Sequence, residues 1–270
     1  AEILDMPNYE ERIISKHLNS RNDEYSKIPF DDLAQYGVLD VVATLRLRSI
    51  FTEELEREGL YEWPFVNILM AAANHFVDLE VRGIPVDTAY LREAQAAYQA
   101  ELDRCVAQIR ELSGRPNLNP NSTQQMAAVL YDDLGLTPPT VKGGTARSTG
   151  HEALEQLEGL HPLIDKLLRY RRIAKIKSSY IDNFLEASDR NGYIHPVVML
   201  HGTETGRLSM RNPAAQTIPR AMSPEDPQYD MYLDGAVIRG AICAPSGYVL
   251  VIADYSQAEL RCLAYYSNDP

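Results

Sequence analysis

The residues best suited to chemistry lie near the end of the chain, in Asp254-Tyr255-Ser256-Gln257-Ala258-Glu259-Leu260-Arg261. They follow an apolar run, Val249-Leu250-Val251-Ile252. Such a run predicts a buried strand over Tyr248 to Ala253 that delivers a carboxylate at its end. A carboxylate so placed suits a hard cation such as Mg²⁺, which takes oxygen ligands. Asp254 is equally suited to capping the helix expected over Gln257 to Ser267, with Glu259 and Arg261 solvated. Spacing alone leaves both roles open.

A second candidate is Thr205-Gly206-Arg207-Leu208-Ser209, continuing through Asn212-Pro213 to Gln216-Thr217-Ile218-Pro219-Arg220. Arg207 and Gln216 are donors that could reach acceptors in a nucleic-acid minor groove. As bare pattern, the same stretch is also a loop with some charge.

These residues need a scaffold, and the chain is long enough to supply one. Its 270 residues are 45% apolar and 24% charged, the balance of a folded globular protein with a real core. No apolar run approaches the roughly 18 residues of a bilayer span. The opening residues AEILDMPNYEE are acidic and carry no secretory signal pattern. The chain begins with Ala rather than Met, which leaves room for residues upstream. Three cysteines without a CxxC pair fit a reducing compartment and exclude a thiolate zinc site. The net charge of −12 argues at first against a polyanion partner. Its distribution does not: residues 1–60 hold 7 basic and 13 acidic side chains, residues 161–220 hold 10 and 5. The local field of the second half therefore leaves a nucleic acid open.

Periodicity and punctuation predict helices first and strands late. Helices are expected from Phe30 to about Gly59, and from about Pro64 to Arg82 with Gly83 as the stop. A helix capped by Asp87 reaches Ser113, and one capped by Ser122 runs to about Leu134. Thr137 to Gly150 is rich in Pro, Gly, Thr and Ser and predicts a flexible loop. A long helix follows from His161 to Ala187, with the apolar stripe Leu163, Leu167, Tyr170 and Ala174. Strands are expected within Tyr193 to Leu200 and over Tyr248 to Ala253. So few strands do not make a stable sheet alone, which suggests an incomplete domain at this end.

Taken together, the two candidate segments strongly resemble family A DNA polymerases, the class of bacterial DNA polymerase I and many phage replicases. There the segments read TGRLSxxxPxxQxIPxR and DYSQxELR. Upstream, Tyr170-Arg171-Arg172-Ile173-Ala174-Lys175-Ile176-Lys177-Ser178-Ser179-Tyr180 resembles the thumb signature YRxLAKLKSTY. Glu80 to Asp87 is similar to ExxGIxVD, and Asn119 to Gln125 to NxxSTxQ. Tyr36 and Asp40 fit the YxxxD end of a 3′–5′ proofreading exonuclease. The resemblance covers nearly the whole chain. It implies an α+β fold: the last helices of a ribonuclease H-like exonuclease domain over 1–62, a helix-rich thumb over 63–187, and an incomplete antiparallel palm sheet over 188–270.

The resemblance also implies roles. Asp254 would be one of two palm carboxylates holding two Mg²⁺ ions, with the Tyr255 carbonyl as a further ligand. Glu259 would lie beside the sugar of the incoming nucleotide and exclude a 2′-hydroxyl, making deoxynucleotides the substrate. Ser256 and Gln257 would complete the nucleotide site. Arg207 and Gln216, with Thr205 and Arg261 nearby, would contact DNA. The acceptors read, N3 of purines and O2 of pyrimidines, are shared by all correct pairs. Arg171, Lys175, Lys177 and Ser178 would contact phosphates, although the thumb basics do not form one helical face and also suit a solvated amphipathic helix. Partners would be primer–template DNA and a deoxynucleoside triphosphate, in the cytoplasm of a bacterial cell or phage-infected host.

Departures accompany the resemblance. Ala214-Ala215-Gln216-Thr217-Ile218-Pro219 stands where the family has Asn-Leu-Gln-Asn-Ile-Pro, so two amides are lost. Ala258 replaces a common Ile, and the acidic segment Ala221 to Asp234 has no assigned role. These suggest a divergent, viral-type member. No RxxxKxxxFG segment or His-Asp-Glu motif follows Arg261, and the DxE carboxylates of the exonuclease do not occur upstream of Tyr36, so each active site retains one acid. The expectation is that these residues alone neither polymerise nor proofread, and that a second chain or missing portion supplies the fingers and remaining palm. An accessory DNA clamp is the alternative, opposed by the intact Asp254 and Glu259. A single-subunit RNA polymerase relative is opposed by Glu259.

Overall fold

The architecture comes from a computed structural model that describes residues 4, 6, 8–18, 25–141 and 146–268. Part of the expected 137–150 loop and part of the opening segment lie outside the described residues. The chain divides into two compact units, residues 1–76 and 77–270.

The first unit is helical. Helix α1 spans Tyr9–His17 and α2 spans Phe30–Arg57, close to the expected range, with Gly59 at φ +70° just beyond its end. A π-helical stretch, Tyr61–Met70, leads into α3, Ala71–Arg82. Lys16 and His17 of α1 both meet Asp32 of α2, at 2.7 and 2.6 Å, and hold that carboxyl below the usual carboxylate range.

The second unit is built on two long helices. Helix α4, Thr88–Ser113, starts where the Asp87 carboxylate accepts from the Tyr90 amide at 2.9 Å. It ends at Gly114, whose φ of +64° gives the left-handed turn that closes a helix. Its buried stripe is Leu91, Tyr98, Leu102, Cys105 and Ile109, spaced at helical repeats. Helix α5, Thr123–Ala127, is capped by Ser122 and continues as a π-helical turn, Ala128–Asp133. Helix α6 spans His151–Gln156. Helix α7, Pro162–Ile176, has Pro at its first turn, where the missing N–H costs nothing. It passes through a π-helical turn, Lys177–Asp182, into α8, Asn183–Ala187, so the long helix forms as expected. The apolar stripe is wider than the spacing indicated: Ile164, Leu168, Ile173 and Ile176 join Leu163, Leu167 and Tyr170 in the core. Each such side chain contributes about 1.5–3 kcal/mol on burial.

Sheet structure is small and antiparallel. Strand β1, Ile84–Pro85, pairs with β2, Tyr193–Ile194; β3, Val197–Met199, pairs with β4, Ser209–Arg211. Gly83 lets β1 approach: at φ +73°, a Cβ there would lie 2.7 Å from the His195 ring and 2.9 Å from the Ile194 carbonyl. Short helices α9, Ala236–Arg239, and α10, Ala258–Ser267, complete the described chain. The helix-rich α+β class is therefore as expected. The strand expected over Tyr248 to Ala253 is not formed. Val249, Val251 and Ile252 are 82, 85 and 92% exposed, and β3 and β4 pair only with each other. An apolar run becomes a buried strand only where neighbours cover it, and among the described residues nothing does.

The acidic segment after Ala221, which had no assigned role, is fastened to α4 and α7. Arg169 of α7 donates from Nε to Asp230 at 2.6 Å and from Nη1 to Glu101 of α4. Its guanidinium lies over the Tyr232 ring, 5.8 Å from the centroid, and that ring stands edge-on to Tyr98 at 5.2 Å. Burial alone would lower the Arg169 pKa, but the bonds to Asp230 and Glu101 outweigh it and hold the charge. Arg169→Met would leave Glu101 and Asp230 without that cation in a largely buried site. The expected loss is about 2–4 kcal/mol, read as a lower urea midpoint at unchanged m-value.

Candidate active site and nucleic-acid interface

The two chemistry-bearing segments meet in the folded chain. Gly206, at φ +74°, turns the backbone ahead of Arg207, which lies just before β4 in a loop closed by the Thr203 hydroxyl on the Arg207 carbonyl at 2.7 Å. On the other side, Gln257 adopts left-handed φ/ψ of 55° and 44° and starts α10. That conformation is uncommon for a side-chain-bearing residue, of the kind concentrated at functional sites. It places Glu259 in the first turn of α10, where its carboxylate accepts a hydrogen bond from Arg207 Nη2. Residues separated by about fifty positions in sequence thus share one surface.

Both members of that pair are open to solvent, with side chains 72 and 78% exposed. An exposed pair contributes about 0–1 kcal/mol and is screened by salt. Asp254, Tyr255, Ser256 and Gln257 line a cleft of about 650 Å³ with Glu259. Asp254 is exposed and does not cap α10, whose N-cap is Gln257. Its oxygens and the Tyr255 carbonyl suit a hard cation in kind. Among the described residues no group of three His, Cys, Asp or Glu side chains forms a metal site.

Thr205 and Arg261 are exposed, as is Gln216, which sits on the single turn Ala215–Thr217. The thumb candidates separate. Lys175 and Ser178 are exposed. Lys177 is turned inward onto Asp182 at 2.9 Å, its side chain 15% exposed. The π-helical turn brings these residues, five apart, onto one side. Arg171 is half-buried and donates to the Thr149 carbonyl; burial pulls its pKa down. In the first unit, Tyr36 packs against the rings of Tyr9 and Tyr25 at 5.9 and 6.0 Å. The Tyr9 hydroxyl donates to Asp40 at 2.8 Å. Burial, followed by the Asp40 hydrogen bond, pushes the Tyr36 pKa up.

Sequence reasoning did not single out Arg239, Glu101 or Arg169, and it named Tyr180 only as the last residue of the thumb signature. Each bonds a partner far away in sequence, so the contact itself leaves no local signal. The one available hint was Glu101, an acid on the apolar side of α4.

Comparison with known proteins bears on what this surface does. The model of DNA polymerase family A matches residues 88–270. DNA polymerase I of Chloroflexus aurantiacus is 34% identical over 250 residues, covering 91% of this chain and 25% of that protein. The thermostable DNA polymerase I of Thermus aquaticus is 37% identical, over 83% of this chain and 26% of that protein. The DNA polymerase of Escherichia phage T5 is 31% identical, over 91% and 28%. The chain thus spans about a quarter of the length of these relatives. Among solved structures, the POL domain of Pol1 from M. smegmatis in complex with DNA primer-template and dNTP superposes with a TM-score of 0.71 at 27% identity. It covers 86% of this chain and 39% of that one.

Because Arg207 and Glu259 are exposed, Arg207→Ala and Glu259→Ala should each change unfolding free energy by less than about 0.5 kcal/mol. Thermal and urea unfolding will check this. A near-silent result on stability allows any loss of DNA binding in these variants to be assigned to the surface itself.

Proposed function

The chain belongs to DNA polymerase family A, and from that premise we propose that it forms the thumb and first palm segment of a template-directed DNA polymerase. The observation that carries the proposal is the meeting of Arg207 with Glu259. It unites the segment suited to the minor groove with the segment suited to the nucleotide, on one exposed surface.

In this proposal the primer 3′-hydroxyl attacks the α-phosphorus of the nucleotide. A bond to that phosphorus forms, the bond to the bridging oxygen breaks, and pyrophosphate leaves. Bound Mg²⁺ ions would lower the hydroxyl pKa and stabilise charge on the phosphates. Asp254 and the Tyr255 carbonyl would hold them, with a second carboxylate from outside these residues. Glu259 lines the sugar edge of the cleft and excludes a 2′-hydroxyl. Arg207 leaves Glu259 for the minor groove when DNA binds, an exchange made cheap by the pair's exposure. Gln216 adds a second donor to the same degenerate acceptors. Lys175 at the end of α7 and Ser178 on the π-helical turn, both exposed, meet phosphates; Lys177 and Arg171 would have to exchange internal partners to do so. The solved POL domain of Pol1 from M. smegmatis, in complex with DNA primer-template and dNTP, supports these partners.

The test is primer extension by the intact polymerase that carries these residues. Asp254→Ala should lower extension by about a thousand-fold or more. Glu259→Ala should raise ribonucleotide incorporation relative to deoxyribonucleotide. Residues 1–270 expressed alone should bind primer–template but extend nothing. Full extension by Asp254→Ala would overturn the catalytic assignment and favour a DNA clamp.

A further inference from the structure

Gln216 is exposed, yet the backbone carrying it is held at three consecutive carbonyls. The Tyr180 hydroxyl donates to the Thr217 carbonyl and lies 3.3 Å from Thr217 Oγ1. Arg239 Nη2 donates to the Ile218 carbonyl at 3.3 Å, and its Nε to the Pro219 carbonyl at 3.3 Å. The Thr217 hydroxyl donates to the Ala214 carbonyl at 2.9 Å, which closes the turn on itself. Beneath it, the Ile218 side chain is buried in the core.

The two holding residues come from different elements. Tyr180 lies on the π-helical turn that follows α7, and Arg239 ends α9. Tyr180 is 8% exposed, and its ring stands edge-on to Phe184 at 6.5 Å, so the phenol has little freedom. Its hydroxyl reaches a residue 37 positions away. Arg239 likewise places donors on backbone carbonyls of this loop.

Such a hold matters most where a single amide does the reading. Ala214 and Thr217 occupy the two positions where the family carries Asn, so Gln216 is the one amide left in this turn. A lone donor discriminates only if its backbone is fixed to within about 0.5 Å. Thr217 contributes in another way, as the point at which the turn is fastened.

We propose that Tyr180 and Arg239 are positioning residues that aim Gln216 at the minor groove of the primer–template, an assignment that rests on the polymerase function proposed above. Tyr180 thereby links the base of the thumb helix to the loop that inspects the new base pair. Neither residue touches the reacting atoms.

Tyr180→Phe removes the hydroxyl and keeps the ring. In the intact protein, amide exchange at 215–218 should quicken while exchange along α7 stays unchanged. In primer extension, Tyr180→Phe should lower efficiency on a matched primer by about three- to ten-fold, the effect of one lost hydrogen bond. It should cost nothing further on a Gln216→Ala background, or on a primer whose terminal purine has C–H in place of N3. Arg239→Met should behave the same way, and Arg239→Lys should recover part of the loss. Equal losses with and without Gln216, or unchanged exchange at 215–218, would overturn the proposal. Failure of the wild-type enzyme to extend any primer would count against the polymerase function instead, and exchange at 215–218 would still decide whether the turn is held.

Discussion

The apolar seam between α4 and α7 is the constraint on which the larger unit depends. Leu91, Ile109, Leu163, Ile164, Leu167 and Ile173 are fully buried and fix the two helices against each other. With that seam set, the polar contacts follow. Arg169 can reach Glu101 across it and Asp230 beyond it. Gln95 of α4 bonds Asp182 at 2.7 Å, and Lys177 meets the same carboxylate from the π-helical turn. Without apolar packing, none of these long side chains would keep a single partner, because the entropy of ordering them exceeds the gain from an exposed ion pair.

The surface residues obey the opposite rule. Asp254, Tyr255, Arg207, Gln216 and Glu259 are exposed, and their positions come from backbone geometry rather than side-chain packing. Left-handed residues at 206 and 257 set the approach of one segment to the other. Carbonyls at 217, 218 and 219 are held from below. A rigid frame with free side chains suits the proposed role, in which DNA and nucleotide would displace what rests there. The Arg207–Glu259 bond, exposed at both ends, is weak enough to exchange.

Much of this was legible in the sequence. Asp87, Ser122, Gly59 and Gly83 punctuate helices by local chemistry, and local chemistry survives folding. The α7 stripe showed through because its 3.6-residue period is independent of what it packs against. The candidate residues showed through as two compact segments. Three things stayed hidden, each for a physical reason. The run 248–253 has the composition of a buried strand, but composition does not supply a pairing partner. The inward turn of Lys177 depends on π-helical geometry, which places residues five apart in register. The roles of Arg169, Tyr180 and Arg239 depend on partners 61, 37 and about twenty residues away, and no spacing rule spans such gaps.

The most direct test of the central claim is a structure of the intact polymerase with primer–template and a nonreactive nucleotide. The account predicts that Arg207 has left Glu259, that Arg207 and Gln216 lie within hydrogen-bond distance of minor-groove N3 or O2 atoms at the primer terminus, and that Glu259 faces the nucleotide sugar. DNA bound to another face, with the Arg207–Glu259 bond intact, would contradict it.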